Sequence, residues 1–323
     1  MMNLMKGRSL LTLEEFTANE IETLVDLAVA VKAEKKERRF PERLKHRNIA
    51  LIFLKPSCRT RTSFVVAAAD EAANLQVFPE EDIRFGVKES TKDIARVLGR
   101  IFDGIALRGD HVLIQEFAHY SGVPVWNALS EDYHPTQVLA DLMTIKESLG
   151  CLKDVNIAFV GDGQSNMVTS LIIVARKLGL HLRVVSPRSR WPLQSKLDKL
   201  ASRDDPGSVV VTEHVTEGVR GADVVYGDIW VSMGQEQDTT ALVQALGPYK
   251  ITHATMQATC NPAAIFMHCM PALHDDDTEF ARKYPGVCDV SNEVFEGPLS
   301  RVFEQSENRM HTIKAVMIAT IGG

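Results

Sequence analysis

Short apolar runs alternate with helix-like segments along most of the 323-residue chain. The run "IALIFL" (49–54) precedes the helical segment "TSFVVAAADEAA" (62–73), and "VNIAFVGDG" (155–163) precedes "NMVTSLIIVARKLG" (166–179). Parallel strands need a long crossover connection between them, and a helix usually supplies it. The alternation therefore predicts an α/β fold with parallel sheets.

The same alternation continues in both halves of the chain. An early helix is predicted to begin near Thr17, because Thr17 and Glu20 have the spacing of a capping box. Further strands are predicted at "GIALRG" (104–109), "PVW" (124–126), "LRVVSP" (182–187), "ADVVYGDIW" (222–230) and "AIFMHCMP" (264–271).

The length of the chain indicates two domains of ordinary size rather than one. The segment "HPTQVLADLMTIKESLG" (134–150) lies between the two halves. Pro135 suits the first turn of a helix and Gly150 suits its C-terminal cap. We therefore expect two domains, each a parallel sheet flanked by helices, joined by this linking helix.

Composition excludes several classes of protein. The formal net charge of -6 is unlike that of a general nucleic-acid binder. No apolar run reaches the roughly 18 residues that a membrane span needs, and the N-terminus lacks the pattern of a signal peptide. The five scattered cysteines contain no CxxC pair, which favours reduced thiols over disulfides or structural zinc. These features predict a cytoplasmic protein without nucleic-acid or membrane partners.

The stretch "FLKPSCRTRTSF" (53–64) is a candidate anion site. It leaves a predicted strand and enters a predicted helix, where free backbone N–H groups and the helix dipole favour an anion. Ser57 and Thr60 add hydroxyl donors, and Arg59 and Arg61 can bind phosphate oxygens as planar forks. No Walker sequence is present, so the favoured ligand carries phosphate without being an obvious nucleotide. The alternative is a surface helix start whose cations meet carboxylates elsewhere.

The segment "VGDGQSNMVTS" (160–170) is a competing candidate for a phosphate site. Gly161 and Gly163 follow a strand as in a dinucleotide fingerprint, but Asn166 stands where the third glycine is expected. The next strand ends at Ser186 and Pro187, without the acidic residue that would hold a ribose. A small polar ligand contacting Asn166 is the better interpretation.

Polar side chains also follow other predicted strands. Arg108 ends one strand, His134 begins the linking helix, and "HCMPALHD" (268–275) follows the last strand. Each has an ordinary structural explanation, such as a salt bridge for Arg108, a cap for His134 or a buried thiol for Cys269. A metal shared by His268 and Cys269 is disfavoured, because adjacent strand residues point to opposite faces. Taken together, these groups predict a ligand site, since ligands bind beyond the carboxyl ends of parallel strands.

The motifs, in their order along the chain, resemble those of the ornithine carbamoyltransferases. They are "SCRTR" (57–61), "LRG" (107–109), "HPTQ" (134–137), "GDGQSNM" (161–167), "DIWVSMG" (228–234), "HCMPALHD" (268–275) and "ENRMHTIKA" (307–315). The details "FLKPS", "VPVWNAL" and "IRFGVKES" are similar to a branch of plant-pathogen enzymes that resist phaseolotoxin.

The resemblance implies a two-substrate transferase with no cofactor and no metal. Residues 1–149 would bind carbamoyl phosphate, with a C-terminal helix at about 305–323 packed back on them, and residues 150–304 would bind L-ornithine. The family forms homotrimers, in which a loop near residues 80–88 reaches the neighbouring site, and higher assemblies remain possible. The implied catalytic residues are Arg108, His134, Asp228 and Cys269. The implied contacts to carbamoyl phosphate are Ser57, Cys58 through its backbone N–H, Arg59, Thr60, Arg84, Arg108, His134, Gln137, Cys269 and Arg309. The implied contacts to ornithine are Asn166, Asp228, Ser232 and Met233.

Three residues depart from the family pattern. Cys58 replaces a threonine, Arg84 stands where many members have glutamine, and Val87 replaces a frequent histidine. These changes affect the expected affinity for carbamoyl phosphate and its analogues rather than the reaction. Two alternatives stay open at this point: a carbamoyltransferase for a different amine, and, from another class, a nicotinamide-dependent oxidoreductase.

Overall fold

The structure is a computed structural model that describes residues 5–79, 82–83, 85–201, 205–231 and 239–323. The chain divides into two compact units. The first unit comprises Met1–Met143 together with Glu307–Gly323, and the second comprises Thr144–Ser306. The division falls within one helix, α5 (Pro135–Leu149).

The first unit contains a four-stranded parallel sheet in the order β2-β1-β3-β4. Its strands are β1 (Asn48–Phe53), β2 (Asn74–Pro79), β3 (Gly104–Arg108) and β4 (Val125–Leu129). The helices of this part of the chain are α1 (Ala18–Lys36), α2 (Arg59–Asp70), α3 (Thr91–Ile101), α4 (His111–Tyr120) and α5. The last helix, α13 (Val302–Ile321), contributes its residues from Glu307 onward.

Helix α13 is fixed to the first unit by polar contacts within an apolar core. Lys314 Nζ lies 2.6 Å from Asp70 Oδ2 at the end of α2, and Lys314 is buried. Trp126 Nε1 donates to Thr320 Oγ1 at 3.1 Å. A Cβ on Gly104 would lie 2.4 Å from the Trp126 ring, so only glycine fits there. These contacts place Arg309, on the same helix, within the first unit.

The second unit contains a five-stranded parallel sheet in the order β7-β6-β5-β8-β9. Its strands are β5 (Asn156–Val160), β6 (His181–Val185), β7 (Ser208–Thr212), β8 (Val224–Gly227) and β9 (Ile265–His268). Its helices are α6 (Asn166–Leu178), α7 (Gln194–Lys199), α8 (Val215–Val219), α9 (Thr239–Leu246), α10 (His253–Ala258), α11 (Glu279–Lys283) and α12 (Asn292–Phe295).

The predicted fold class is confirmed: each unit is a parallel sheet flanked by helices. The capping box at Thr17 and Glu20 is present, and Gly150 has the positive φ of a helix cap. Helix α2 begins at Arg59, three residues before the predicted start at 62. Strands β2 and β7 were not predicted, because they lie at sheet edges and expose part of their side chains. Among the described residues, no helix is both long and apolar enough to cross a membrane.

Candidate functional site

The stretch that we predict to bind an anion connects the end of β1 at Phe53 to the start of α2 at Arg59. Cys58 is the N-cap residue and makes no side-chain cap hydrogen bond. Its thiol is exposed, whereas Thr60 in the first turn is buried. The first N–H groups of this twelve-residue helix have no intrahelical partner and can donate to an anion.

The cations of the opening stretch divide into two groups. Lys55 Nζ lies 3.4 Å from Glu131 Oε1, with both side chains about half exposed. Arg61 is exposed on the surface of α2. Arg59 is partly buried, and its Nε has no hydrogen-bond partner among the described residues. The surface-helix explanation therefore suits Lys55, whereas Arg59 keeps a donor for a ligand.

Arg108 presents a second unmet guanidinium donor at the carboxyl end of β3. The residue is only 8% exposed, and its buried Nε also has no hydrogen-bond partner within the described ranges. Burial, followed by the nearby charge of Arg59, lowers the pKa of Arg108. Two guanidinium groups that repel each other in a desolvated place favour an anion between them.

His134, Gln137 and Arg309 form a buried hydrogen-bonded chain in the same unit. Arg309 Nη1 donates to Gln137 Oε1 at 2.8 Å and lies 3.4 Å from His134 Nε2. Thr136 Oγ1 lies 3.3 Å from His134 Nδ1. Gln137 Nε2 donates to Asp141 Oδ1 at 2.8 Å, one turn further along α5. Arg309 is thus held by the helix that carries His134.

His134 is a neutral imidazole at neutral pH. Its burial lowers the pKa well below the usual 6.5, and the charges of Arg309, Arg108 and Arg59 lower the pKa further. The charges of all three guanidinium groups thus act on one histidine, and Arg309 contacts it directly. We call the set Arg59, Arg108, His134, Gln137 and Arg309 the arginine cluster. It offers several fixed donors to a dianion, together with a neutral ring that can polarise a carbonyl oxygen.

In the second unit, Asp228 and Cys269 meet at the carboxyl ends of β8 and β9. Cys269 Sγ donates to Asp228 Oδ1 at 2.8 Å, and the Ile229 backbone N–H donates to the same oxygen at 2.8 Å. Burial raises the pKa of Asp228, whereas the Cys269 hydrogen bond opposes that rise. The pair offers a buried carboxyl group suited to an amine ligand.

The loop before α6 is packed against protein rather than open for a pyrophosphate. A Cβ on Gly163 would lie 2.5 Å from the Arg190 carbonyl oxygen. Gly163 N donates to Ser186 Oγ at 3.0 Å, and Arg190 Nε donates to Asp162 Oδ1 at 2.9 Å. Gly163 therefore serves close packing, which disfavours the dinucleotide alternative. Asn166 is the first residue of α6 and is partly buried.

The two histidines of "HCMPALHD" have structural partners. His268 Nδ1 accepts from the Met270 backbone N–H at 3.0 Å, and its Nε2 lies 3.2 Å from Asp289 Oδ1. His274 stacks on Phe295 with ring centroids 3.9 Å apart. Within the described part of the chain, no group of three or more potential metal ligands is present.

Some predicted residues are not described, and two relevant residues were missed. Arg84, Ser232 and Met233 lie outside the described residues. Thr136 and Asp141, which contact His134 and Gln137, were not singled out from the sequence. The spacing of Gln137 and Asp141, four residues apart in a predicted helix, was a signal that could have identified the second pair.

Comparison with known proteins agrees with these motifs over nearly the whole chain. Residues 8–147 match the family profile described as the carbamoyl-P binding domain of aspartate/ornithine carbamoyltransferase, and residues 153–320 match its Asp/Orn binding domain. A protein of Pseudomonas syringae pv. actinidiae named "Ornithine carbamoyltransferase 2, phaseolotoxin-insensitive" is 52% identical, with 98% of each chain covered. A catabolic ornithine carbamoyltransferase of Bacillus cereus is 45% identical, with 98% of this chain and 97% of the relative covered.

A solved structure gives the same result for the fold. The ornithine carbamoyltransferase of Pyrococcus furiosus superposes with a TM-score of 0.91 at 35% identity, covering 99% of this chain and 98% of the other. The resemblance stated from the motifs is thereby confirmed. The chain belongs to the aspartate/ornithine carbamoyltransferase family.

Proposed function

We propose that this protein is an ornithine carbamoyltransferase. It transfers the carbamoyl group of carbamoyl phosphate to the side-chain amine of L-ornithine, giving L-citrulline and phosphate in arginine metabolism. The observation that carries the proposal is the arginine cluster, in which buried guanidinium donors surround a neutral His134. The family and the names of the relatives support the choice of substrates.

Carbamoyl phosphate suits the cluster because it combines a dianionic phosphate with a carbonyl group. Arg59 and Arg309, with the hydroxyls of Ser57 and Thr60 and the N–H of Cys58 at the start of α2, would hold the phosphate. Arg108 and His134 would lie at the carbonyl oxygen, with Thr60 adding a donor. The remaining amino group of the substrate is then left for Gln137.

The reaction needs stabilisation of developing negative charge. The neutral side-chain amine of ornithine uses its lone pair to form a bond to the carbamoyl carbon, and the carbonyl π electrons move to the oxygen. The oxyanion then reforms the carbonyl, the bond from carbon to the phosphate oxygen breaks, and phosphate leaves with that electron pair. The attacking nitrogen loses a proton, which the departing, strongly basic phosphate takes up. Losing one donor to such an oxyanion typically costs about 10²–10³ in rate.

The ornithine end would be supplied by the second unit. Asp228 would bind the amino-acid head, and Asp228 and Cys269 would lie near the side-chain amine, with Cys269 also near the carbamoyl group. Asn166 at the start of α6 is suited to the carboxylate, since the positive end of the helix dipole favours an anion there. Ser232 and Met233 would complete this subsite.

The remaining features of the proposal extend the same function. The first unit, with the end of α13, would be the carbamoyl-phosphate-binding domain, and the second unit would bind ornithine. The protein would act in the cytoplasm as a homotrimer in which Arg84 reaches the phosphate of a neighbouring site. An additional cation there would give resistance to toxins that mimic the substrate.

Product analysis without any added cofactor tests the activity. Carbamoyl phosphate is supplied with ornithine, and separately with lysine, putrescine or aspartate, while the ureido product and phosphate are measured. Citrulline and phosphate should form in equal amounts with ornithine. A failure to form citrulline from ornithine, or a faster reaction with another amine, would refute the proposed substrate.

Two variants test the assigned roles. Arg59→Ala should nearly abolish turnover, whereas Lys45→Ala should change it little, because Lys45 is exposed and forms a surface ion pair with Glu42. Inhibition by a phosphosulfamate analogue should become stronger in Arg84→Gln than in the wild type. An unchanged inhibition constant would remove Arg84 from the proposed toxin response.

A further inference from the structure

Gln137 lies between an acceptor and a donor that cannot exchange roles. Its Nε2 donates to Asp141 Oδ1 at 2.8 Å, and its Oε1 accepts from Arg309 Nη1 at 2.8 Å. A carboxylate only accepts hydrogen bonds, and a guanidinium group only donates them. All three side chains are buried, so water cannot replace a lost partner at little cost. The carboxamide therefore has one satisfied orientation.

The fixed orientation places an acceptor inside a group of donors. Arg59, Arg108 and Arg309 have no acceptor atoms in their side chains. Gln137 Oε1 has two lone pairs, and Arg309 uses one of them. The second lone pair can accept a further hydrogen bond. If the carboxamide turned over, its NH₂ group would instead oppose the Arg309 N–H groups.

We propose that Asp141 is a specificity-determining positioning residue, which holds Gln137 Oε1 towards the arginine cluster so that the site accepts an N–H donor. Asp141 does not touch the substrate. It acts through Gln137 and selects a phosphate compound that carries a carboxamide NH₂ over one that carries a methyl group at the same place. The inference rests on the proposed function for the identity of that compound as carbamoyl phosphate.

The size of the effect follows from the cost of an unpaired polar group. A site built to hydrogen-bond an N–H discriminates strongly against an analogue that lacks it, because a buried acceptor is left unpaired. One such pair with a neutral acceptor corresponds to a preference of about tenfold to a hundredfold. Removing Asp141 should bring that preference close to one, because the buried Gln137 Nε2 then lacks its acceptor and the carboxamide leaves this orientation to find another.

The experiment compares two stable phosphonates that differ only at the group in question. Phosphonoacetamide carries NH₂, and acetonylphosphonate carries CH₃ in its place, so the ratio of their dissociation constants measures the selectivity. The ratio is determined by calorimetry for the wild type and for Asp141→Leu, with inorganic phosphate as a ligand that lacks the carbonyl portion. We expect Asp141→Leu to lose at least tenfold in the ratio, while phosphate affinity changes less than about threefold.

Additional variants keep the inference open to refutation. Asp141→Ala is the substitute if the leucine variant does not fold, and it should lose the same selectivity. Asp141→Asn should retain the wild-type ratio within about threefold, because its amide oxygen can still accept from Gln137 Nε2. An unchanged ratio in a folded leucine or alanine variant would overturn the inference. So would an equal loss of affinity for all three ligands, or a loss in Asp141→Asn as large as that in Asp141→Leu.

The binding assay separates this inference from the proposed function. It needs no ornithine and no turnover, so a selective wild type that forms no citrulline would leave the role of Asp141 intact while removing the proposed activity. Conversely, citrulline formation with an unchanged selectivity in Asp141→Leu would support the activity and remove the role of Asp141.

Discussion

Replacing Arg59 with methionine should weaken ligand binding while making the free protein more stable. The reason is the electrostatic environment of Arg59. Its charge lowers the pKa of both Arg108 and His134, and its Nε has no hydrogen-bond partner among the described residues. In the absence of ligand, this guanidinium group therefore adds repulsion and an unmet donor. Methionine preserves most of the apolar stem without the charge.

The expected gain can be estimated from Coulomb's law. Two unit charges at a separation of about 8 Å with an effective dielectric constant of about 20 repel each other by about 2 kcal/mol. Arg59 is only partly buried, so solvent screening reduces this to about 1 kcal/mol. A gain of that size raises the unfolding temperature of a unit of this length by about 2–4 °C. The same change removes a phosphate donor and should lower kcat/KM for carbamoyl phosphate by about 10²–10³.

Thermal unfolding with and without inorganic phosphate measures both effects. In the wild type, phosphate at about 100 times its Kd should stabilise the fold by about 2.7 kcal/mol, and Arg59→Met should lose most of this shift. Arg61→Met is the matched control, because Arg61 is exposed two residues away on the same helix. It should change neither the stability nor the phosphate shift by more than about 0.5 kcal/mol. A destabilised Arg59→Met, or one that keeps the full phosphate shift, would refute the reasoning.

Four further predictions concern buried polar and charged groups. Because the pKa of His134 lies well below 6.5, kcat/KM for carbamoyl phosphate should be flat from about pH 6 to 9. The rate with ornithine should instead rise over this range, as the ornithine amine loses a proton. A bend near pH 6.5 in the carbamoyl phosphate profile would indicate that His134 titrates there and would contradict the prediction. The lowered folded-state pKa also means that His134 contributes stability above the unfolded value of about 6.5, which is lost as the pH falls below it and should appear in urea titrations. Asp70→Asn should lower the free energy of unfolding by about 3–5 kcal/mol, because it leaves Lys314 buried without its carboxylate. Adding Lys314→Met should recover most of that loss, which a double-mutant cycle measures. Asp228→Asn should lower kcat/KM for ornithine at least about tenfold, whereas Cys269→Ser, which keeps a donor to that residue, should lose less than about tenfold.

The central strands and the helices between them could be predicted because their signals are local. A buried parallel strand such as β1 or β5 is apolar on both faces, so its sequence is a continuous apolar run. The edge strand β2 lacks this pattern, because it has exposed residues along its length and contains Asn74 and Gln76. Its pairing with β1, rather than its own composition, determines that it is a strand.

The residues of the site could be predicted as types but not as an arrangement. Each motif marked a polar residue at the end of a strand or the start of a helix, and the rule for parallel sheets placed them at one edge. The sequence alone could not show which side-chain hydrogen-bond donors lack a partner within the protein. Lys55 and Arg59 stand four residues apart, yet Lys55 pairs with Glu131 whereas Arg59 Nε has no hydrogen-bond partner among the described residues. That difference depends on a residue from a distant segment.

The polar partners of α13 explain how such a repulsive group of cations can be held in place. Arg309 follows His134 by 175 residues in the chain, yet its Nη1 lies 3.4 Å from His134 Nε2. Its helix is fixed by Lys314 against Asp70 and by Thr320 against Trp126, one and three turns beyond Arg309. Because Asp70 ends the helix that Arg59 begins, the same ion pair connects the elements that carry two of the three guanidinium groups. The Lys314–Asp70 ion pair, which lies outside the arginine cluster, therefore opposes the repulsion between guanidinium groups within that cluster.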